Sequence, residues 1–182
     1  THRLLVDPDL DYRGELEGID PSIRPSSSLG KTHGPANVNE FWYAWRPHLP
    51  STGADQFTDA EVAEIDRVGL QAMLAALEAG FDRPLALKAQ LLAFHAEVLG
   101  EIFPSAVFLR LRRRADDVVG SILGARERHT GSIESWWSLR PHNLQDLLEL
   151  SPVDQVRAQV SQVEDALDGA ANVLGDRIVD VD

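Results

Sequence analysis

Residues 103–121 read FPSAVFLRLRRRADDVVGS and decide the fold that we predict for this chain. Segment 106–111 is apolar and follows a proline, which predicts a strand. From Asp116 onward apolar residues recur at helical spacing, which predicts a helix. Where the strand meets the helix there are arginines at positions 110, 112, 113 and 114. Strand ends in open α/β sheets bind ligands and helix N-termini attract anions, so we expect an anion here, most simply a phosphate.

Composition limits the classes of protein to which the chain can belong. With 182 residues, 43% of them hydrophobic, it can bury a core, and we predict one domain over residues 1–182. A net charge of -12 argues against nucleic acid or an anionic membrane as a partner, since both need a broad basic face. The absence of cysteine excludes disulfides and thiolate metal sites and agrees with a cytoplasmic protein. No apolar run has the length of a membrane span, and no signal peptide is visible.

Positive charge is concentrated in one part of this acidic chain. Of its 17 positive residues, six fall in the predicted strand and helix: Arg110, Arg112, Arg113, Arg114, Arg126 and Arg128. Such a concentration predicts a local anion site rather than a general basic surface.

The fold class that we predict is α/β, with a parallel sheet flanked by helices. Its strands are expected at 84–88, 106–111 and 177–181, with a helix at 91–102 completing a βαβ unit with the first two. A capping box at Thr58 predicts a helix that runs to Gly80, and Ser151 followed by Pro152 predicts a helix that runs to Leu174. Segment 11–29 lacks periodicity and is predicted to be loop.

The pattern P104-x-A106-x-F108 followed by R113-x-x-D116-D117-V118-V119-x-S121 resembles a segment of the sulfotransferase family. The resemblance implies a fold like that of P-loop-containing nucleoside triphosphate hydrolases. It also implies that Arg113 and Ser121 hold the 3′-phosphate of 3′-phosphoadenosine-5′-phosphosulfate. A guanidinium fork suits a phosphate, and a helix hydroxyl can add one bond. The family has Asp-Pro after the arginine where this chain has Arg114 and Ala115, so the choice among Arg112, Arg113 and Arg114 stays open.

The two ends of the chain resemble the interior of that family. The first residues, THRLL, are similar to a segment that follows the loop for the 5′-phosphosulfate, and strand 177–181 stops before a further family motif. We therefore expect a sulfotransferase-like domain that is truncated at both ends. A non-catalytic nucleotide-binding or scaffold domain stays open as an alternative. A phosphoryl-transfer enzyme is a weaker one, because Gly30, Lys31 and Thr32 lack the earlier P-loop glycine, Pro25 being in its place.

Three residues are candidates for the chemistry of transfer. Glu40 lies in an aromatic run, NEFWYAWR, for which Asn39 is the predicted helix cap. Bacterial sulfotransferases have a similar run, and the resemblance makes Glu40 a candidate general base toward the acceptor hydroxyl, while a purely structural role as a cap or ion-pair partner stays open. His33, in KTHGP, resembles the catalytic histidine segment of the cytosolic type and competes for that role. Lys88 ends a predicted strand, where the resemblance implies contact with a phosphate or the sulfonate, and pairing with a neighbouring carboxylate stays open as the alternative.

The function that we predict is sulfonate transfer from 3′-phosphoadenosine-5′-phosphosulfate to a hydroxyl or amine of a small-molecule acceptor, without a metal. Segment 135–141, SWWSLRP, resembles a run of the bacterial enzymes and is expected to close a hydrophobic acceptor pocket. Positioning and cations near the bridging oxygen would carry the catalysis. The identity of the acceptor and the formation of a homo-oligomer stay open.

Overall fold

The computed structural model describes residues 40–181 and the backbone of two short strands at 26–28 and 31–33. The strands are β1 (Ser26–Ser28), β2 (Lys31–His33), β3 (Phe108–Leu111) and β4 (Ile178–Val181). The α-helices are α1 (Trp42–Trp45), α2 (Asp59–Val62), α3 (Arg67–Phe81), α4 (Ala96–Ile102), α5 (Ala115–Thr130), α6 (Leu144–Leu147) and α7 (Pro152–Leu174). Short 3₁₀ helices span Arg46–His48, Gln90–His95 and Gly175–Arg177.

The chain divides into two compact units. The first contains the described residues up to Leu49 together with Ile65–Ala89, and the second contains Pro50–Glu64 and the residues from Gln90 onward. The polypeptide therefore enters the second unit at Pro50, returns to the first at Ile65 and leaves it again after Ala89.

In the first unit, β1 and β2 pair as an antiparallel hairpin, and α3 buries one stripe of apolar side chains. Leu70, Met73 and Leu77 recur at spacings of three and four and are the buried residues of this helix. The side chain of Asp66 caps α3 by accepting from the Gly69 N–H at 2.9 Å. The other carboxylate oxygen of Asp66 lies 2.9 Å from Nδ1 of His48, which links the 3₁₀ helix Arg46–His48 to the start of α3.

In the second unit, β3 and β4 are parallel, with Phe108 opposite Ile178 and Leu111 opposite Val181. Their connection runs through α5, α6 and α7. Helices α4 and α7 pack together around Ala96, Ala170 and Leu174, and Phe108 and Ile178 pack against this cluster. The mixed arrangement of helices with a small parallel sheet agrees with the predicted α/β class, and the strands predicted at 106–111 and 177–181 are confirmed.

The β3–β4 sheet has one apolar face that the described residues leave exposed. Leu109 and Leu111 are 68% and 76% exposed, and Val179 and Val181 of the neighbouring strand are 43% and 39% exposed. Side chains alternate along a strand, so Phe108 and Arg110 point to the opposite, covered face. Within the described part of the chain, the sheet is covered by helices on that face only.

Capping residues in the sequence predicted two helix starts correctly. Thr58 and Glu61 form the predicted capping box of α2, and Ser151 caps α7 with Pro152 at its first position. The single helix predicted from Thr58 to Gly80 is wrong, because the first helix ends at Val62 and a new helix begins after its N-cap, Asp66. An aspartate side chain can accept a hydrogen bond from a backbone N–H a few residues ahead, which favours a new helix start over a continuous helix.

The strand predicted at 84–88 is also wrong, and with it the βαβ unit that was to contain it. Residues 84–88 have no regular structure. Pro84 has no N–H for a ladder, and the segment has no strand partner among the described residues. The helix predicted at 91–102 begins as the 3₁₀ helix Gln90–His95 and becomes α-helical only at Ala96.

Two further predictions of local structure need correction. Segment 11–29, predicted to be loop, contains β1 at Ser26–Ser28. The N-cap of α1 is Phe41 rather than the predicted Asn39, and no side chain caps this helix.

Arg110 is the charged anchor between β3 and α7. Its side chain is only 3% exposed, its Nη1 donates to Asp168 at 2.6 Å, and its Nη2 donates to Glu164. Burial alone would lower the pKa of Arg110, but the carboxylates of Glu164 and Asp168 raise it. Arg110 in turn lowers the pKa of Asp168.

We expect Arg110→Ala to lower the free energy of unfolding by about 1–2 kcal/mol, because it removes charge-assisted hydrogen bonds whose acceptors are partly solvated. The measurement is urea unfolding followed by circular dichroism. Arg112→Ala is the matched control, since Arg112 pairs with Asp180 and Asp168 but is 42% exposed, and it should cost less than about 1 kcal/mol. Equal losses from the two variants would show that burial of Arg110 adds nothing.

Candidate functional site

The junction between β3 and α5 positions Arg113. The Arg112 N–H still bonds to the carbonyl of Val181 at 2.8 Å, so the chain leaves the sheet immediately after it. Arg114 is the N-cap of α5 in an extended conformation, and its side chain makes no capping hydrogen bond. Arg113 therefore lies in the middle of the three-residue connection, 112–114, between β3 and a 16-residue helix, and its side chain is exposed.

The arginines of this junction are of two kinds. Arg110 is buried among carboxylates, and Arg112 is bound to Asp180 at 2.9 Å and to Asp168 at 3.6 Å. Arg113 and Arg114 are exposed, and neither forms an ion pair with a residue that the structure describes. Arg110, which the sequence grouped with the anion site, is therefore a structural residue, and the choice of a ligand-binding arginine narrows to Arg113 and Arg114.

Arg126 also proves to be structural, although the sequence counted it with the local positive charge. It is fully buried, its Nη1 donates to the carbonyl of Ile133 at 3.1 Å and to Gln155 at 2.7 Å, and its guanidinium lies 4.9 Å from the centre of the Trp136 ring. Burial lowers the pKa of this guanidinium. Of the six positive residues that the sequence grouped together, Arg110 and Arg126 are thus buried and structural, whereas Arg113 and Arg114 are exposed at the strand end.

Ser121 is half-buried on α5, two turns after Arg114. Positions three, four and seven residues apart share a helix face, so Ser121 lies on the same side of α5 as Arg114 and Val118. The first turn of α5 also carries Asp116 and Asp117, whose charge opposes an anion at the helix N-terminus. Attraction of a bound anion by Arg113 would have to exceed its repulsion by these two carboxylates.

In the first unit, Glu40 and Lys88 form a close ion pair, although 48 positions separate them in sequence. Lys88 Nζ lies 2.6 Å from Oε1 of Glu40, and Trp42 Nε1 donates to Oε2 at 2.7 Å. The side chain of Glu40 is 19% exposed and that of Lys88 is 42% exposed. The carboxylate thus has a donor on each oxygen, next to a cation that water can reach.

The backbone around this pair is held in an unusual conformation. Phe41 has φ 51°, in the left-handed region, which is strained for a bulky side chain. Trp45 Nε1 donates to the Glu40 carbonyl at 2.9 Å, and the Arg46 guanidinium lies 5.1 Å from the centre of the Trp42 ring. These contacts fix the peptide that carries Glu40.

His33 is the third predicted catalytic residue. Its backbone belongs to β2, opposite Ser26, and its side chain lies outside the described residues.

The aromatic segment expected to close an acceptor pocket is held by side chains from α5 and α7. Gln159 is 2% exposed, and its Nε2 donates to the carbonyls of Trp137 at 3.0 Å and Leu139 at 2.6 Å. Trp136 Nε1 also donates to the Leu139 carbonyl, at 3.0 Å. The ring of His129 stacks on Trp137 with centroids 4.6 Å apart. Both tryptophans are half-buried, so the segment presents only part of each ring to solvent.

Sequence reasoning missed Trp42, Gln159 and the structural role of Arg126. A tryptophan two residues after a candidate carboxylate was a usable signal, because indole donates only one hydrogen bond and seeks an acceptor. Gln159 gave no such signal, since a glutamine in an amphipathic helix is ordinarily a surface residue.

Two absences are specific to the described part of the chain. Among residues 40–181 no group of three or more His, Asp or Glu side chains lies close enough to hold a metal ion. No described helix combines the length and apolar character needed to cross a membrane.

Comparison with protein-family models, with curated proteins and with solved structures finds no match to this chain.

Proposed function

We propose that this chain is a sulfotransferase domain that moves a sulfonate group from 3′-phosphoadenosine-5′-phosphosulfate to a hydroxyl or amine of a small-molecule acceptor. The observation that carries the proposal is the division of the strand-end arginines. Arg110 and Arg112 are neutralised by carboxylates, whereas Arg113 and Arg114 are exposed, without an ion pair among the described residues, at the start of a long helix. Of these two, Arg113 has the spacing to Ser121 that resembles the sulfotransferase segment. The proposal includes a P-loop-like fold and a cytoplasmic location.

Arg113 and Ser121 would hold the 3′-phosphate of the donor. A guanidinium that pairs with no carboxylate can give both arms of its fork to phosphate oxygens, which is the strongest form of hydrogen bond available there. Ser121 would add one hydroxyl bond from the second turn of α5. The backbone N–H groups at the uncapped N-terminus of α5 would add a partial positive charge.

Glu40 and Lys88 would act on the acceptor and on the transferring group. The Glu40 carboxylate would take the proton of the acceptor hydroxyl, and the Lys88 ammonium would neutralise charge that develops on the sulfonate oxygens. Their contact at 2.6 Å supports joint action, since it places the ammonium directly beside the carboxylate that would take the proton. The strained Phe41 backbone next to Glu40 is typical of functional sites.

A second candidate function is a nucleotide-binding domain without catalysis. The observation that favours it is the occupation of Glu40, because Lys88 and Trp42 each take one carboxylate oxygen. A general base needs an accessible lone pair within reach of the acceptor proton, and these two bonds leave fewer lone pairs on Glu40 for that proton. Such a domain would bind the nucleotide through Arg113 and Ser121 and leave the acceptor unchanged.

The experiment that tests the proposal compares two nucleotides that differ in one group. We expect 3′-phosphoadenosine-5′-phosphate to bind more tightly than adenosine-5′-phosphate by about tenfold or more in isothermal calorimetry, since only the former has a phosphate for Arg113. Transfer of radiolabelled sulfonate to a panel of alcohols, phenols and amines then separates the enzyme from the non-catalytic domain. Equal affinities for the two nucleotides would contradict both candidates.

Ser121→Ala provides a milder test of the same contact. A neutral hydroxyl bond contributes about 1 kcal/mol, so we expect the affinity for 3′-phosphoadenosine-5′-phosphate to fall about fivefold. The affinity for adenosine-5′-phosphate should stay the same. Ser161→Ala, at an exposed position of α7, is the control. A loss shared by both nucleotides would show that Ser121 supports the helix rather than the phosphate.

A further inference from the structure

A buried imidazole ties the short segment at 55–57 into the second unit. The Phe57 N–H donates to Nε2 of His95 at 3.0 Å, and the two rings stack with centroids 4.6 Å apart and planes within 9°. His95 is 6% exposed and Phe57 is 7% exposed. Because Nε2 accepts this bond, the ring is neutral and carries its proton on Nδ1.

The same ring nitrogen, Nε2, also lies close to a hydrogen-bond acceptor, whereas the Phe57 N–H is a donor. The carbonyl oxygen of Asp55 lies 3.2 Å from Nε2 of His95. A neutral ring with its proton on Nδ1 has no hydrogen to give this carbonyl. A protonated ring has a hydrogen on Nε2, which can bond to the Asp55 oxygen but cannot accept from the Phe57 N–H. The bonds to Asp55 and to Phe57 are therefore mutually exclusive.

Segment 55–57 also holds the chain at 140–142. The Asp55 carboxylate accepts from the Arg140 N–H at 2.9 Å and from Arg140 Nε at 3.3 Å, while the Asp55 N–H donates to the Arg140 carbonyl at 2.7 Å. Oε1 of Gln56 accepts from the His142 N–H at 3.3 Å. Segment 55–57 thus holds the C-terminal end of the aromatic segment 135–141, and a change at His95 would act on that contact.

We propose that His95 is an acid-sensitive latch, whose protonation breaks the bond to Phe57 and loosens segment 55–57 together with its hold on Arg140. The device does not depend on sulfonate transfer and would operate in either candidate function. It is a local change, because α4 and α7 pack on each other through apolar side chains that do not titrate.

The charges around the ring set the direction of the effect. Burial lowers the pKa of His95 below its usual 6.5, while the Asp55 carbonyl and the charge of Glu61 on α2 act in the opposite direction. Asp55 itself is paired with Arg140. Helices α4 and α7 also pack on the 3₁₀ helix that carries His95, and the described residues on them contribute no charge that shifts its pKa. The latch therefore stabilises the segment fully above pH 6.5 and releases it as the pH falls through the lower pKa of the folded state.

Nuclear magnetic resonance of the labelled protein between pH 8 and pH 5 tests the latch. We expect the His95 ring to titrate below its usual pKa, and the exchange protection of the Phe57 amide to fall about tenfold or more with the same midpoint, while protection in α7 stays constant. In His95→Gln the Phe57 protection should not depend on pH, because a glutamine oxygen accepts in every state. His142→Gln, which removes the other histidine near the segment, should leave the dependence intact.

Three results would overturn the proposal. The first is an unchanged Phe57 protection factor while the His95 ring titrates. The second is simultaneous loss of protection in α7, which would indicate global acid unfolding instead of a local latch. The third is persistence of the pH dependence in His95→Gln. If that variant does not fold, the shared midpoint of the His95 ring and the Phe57 amide in the unaltered protein still decides the question.

Discussion

Glu40→Gln is expected to lower the turnover of sulfonate transfer by about 10²–10⁴, with donor affinity nearly unchanged. Glutamine keeps the shape of the side chain and still accepts a hydrogen bond from Trp42, but it cannot take a proton from the acceptor. The loss should therefore appear in kcat and leave the binding of 3′-phosphoadenosine-5′-phosphate intact. The measurement is the rate of transfer at saturating donor together with calorimetry of the nucleotide.

Two further variants show whether a loss of turnover in Glu40→Gln comes from the loss of a general base. Glu78→Gln, an exposed carboxylate on α3 of the same unit, should leave turnover unchanged and controls for the loss of a negative charge. His33→Asn should do little if Glu40 is the base. A large loss in His33→Asn with little effect in Glu40→Gln would move the role of base to His33.

The sequence predicted the parts of the fold that rest on local signals. The parallel strands β3 and β4 and the start of α7 were predictable because an apolar run, a flanking turn and a serine cap before proline each act on neighbouring residues. The segment at 84–88 carries a similar local signal but forms no strand. Pairing depends on a partner strand, which a short apolar run cannot reveal.

In the candidate site, too, the sequence predicted what neighbouring residues determine and not what residues far along the chain determine. The sequence placed arginines at the end of β3, but it could not separate Arg110 from Arg113. The difference lies in Glu164 and Asp168, which are 54 and 58 positions away from Arg110. Strand alternation puts Arg110 and Leu109 on opposite faces of the sheet, but which of the two faces is covered became visible only in the structure.

The contact between Glu40 and Lys88 was out of reach of the sequence for a related reason. Each residue was selected alone, Glu40 from its aromatic neighbours and Lys88 from a strand that does not form. The ion pair at 2.6 Å arises from the packing of the first unit. Spacing along the chain carries no information about such a contact.

Arg113→Ala is the second change with a large expected effect. Losing a charge-assisted fork to a phosphate costs about 1.5–3 kcal/mol, so the affinity for 3′-phosphoadenosine-5′-phosphate should fall about 10- to 150-fold. The affinity for adenosine-5′-phosphate should change little, because that ligand lacks the group which Arg113 binds. Arg114→Ala is the matched control, since Arg114 is the neighbouring arginine, is also exposed and likewise forms no ion pair with a described residue.

The most direct measurement is therefore calorimetry of both nucleotides with the unaltered protein, Arg113→Ala and Arg114→Ala at one salt concentration. The proposal predicts a selective loss of affinity for 3′-phosphoadenosine-5′-phosphate in Arg113→Ala and a smaller loss in Arg114→Ala. Equal losses for both nucleotides in Arg113→Ala, or no loss for either, would contradict the assignment of this strand end as the 3′-phosphate site.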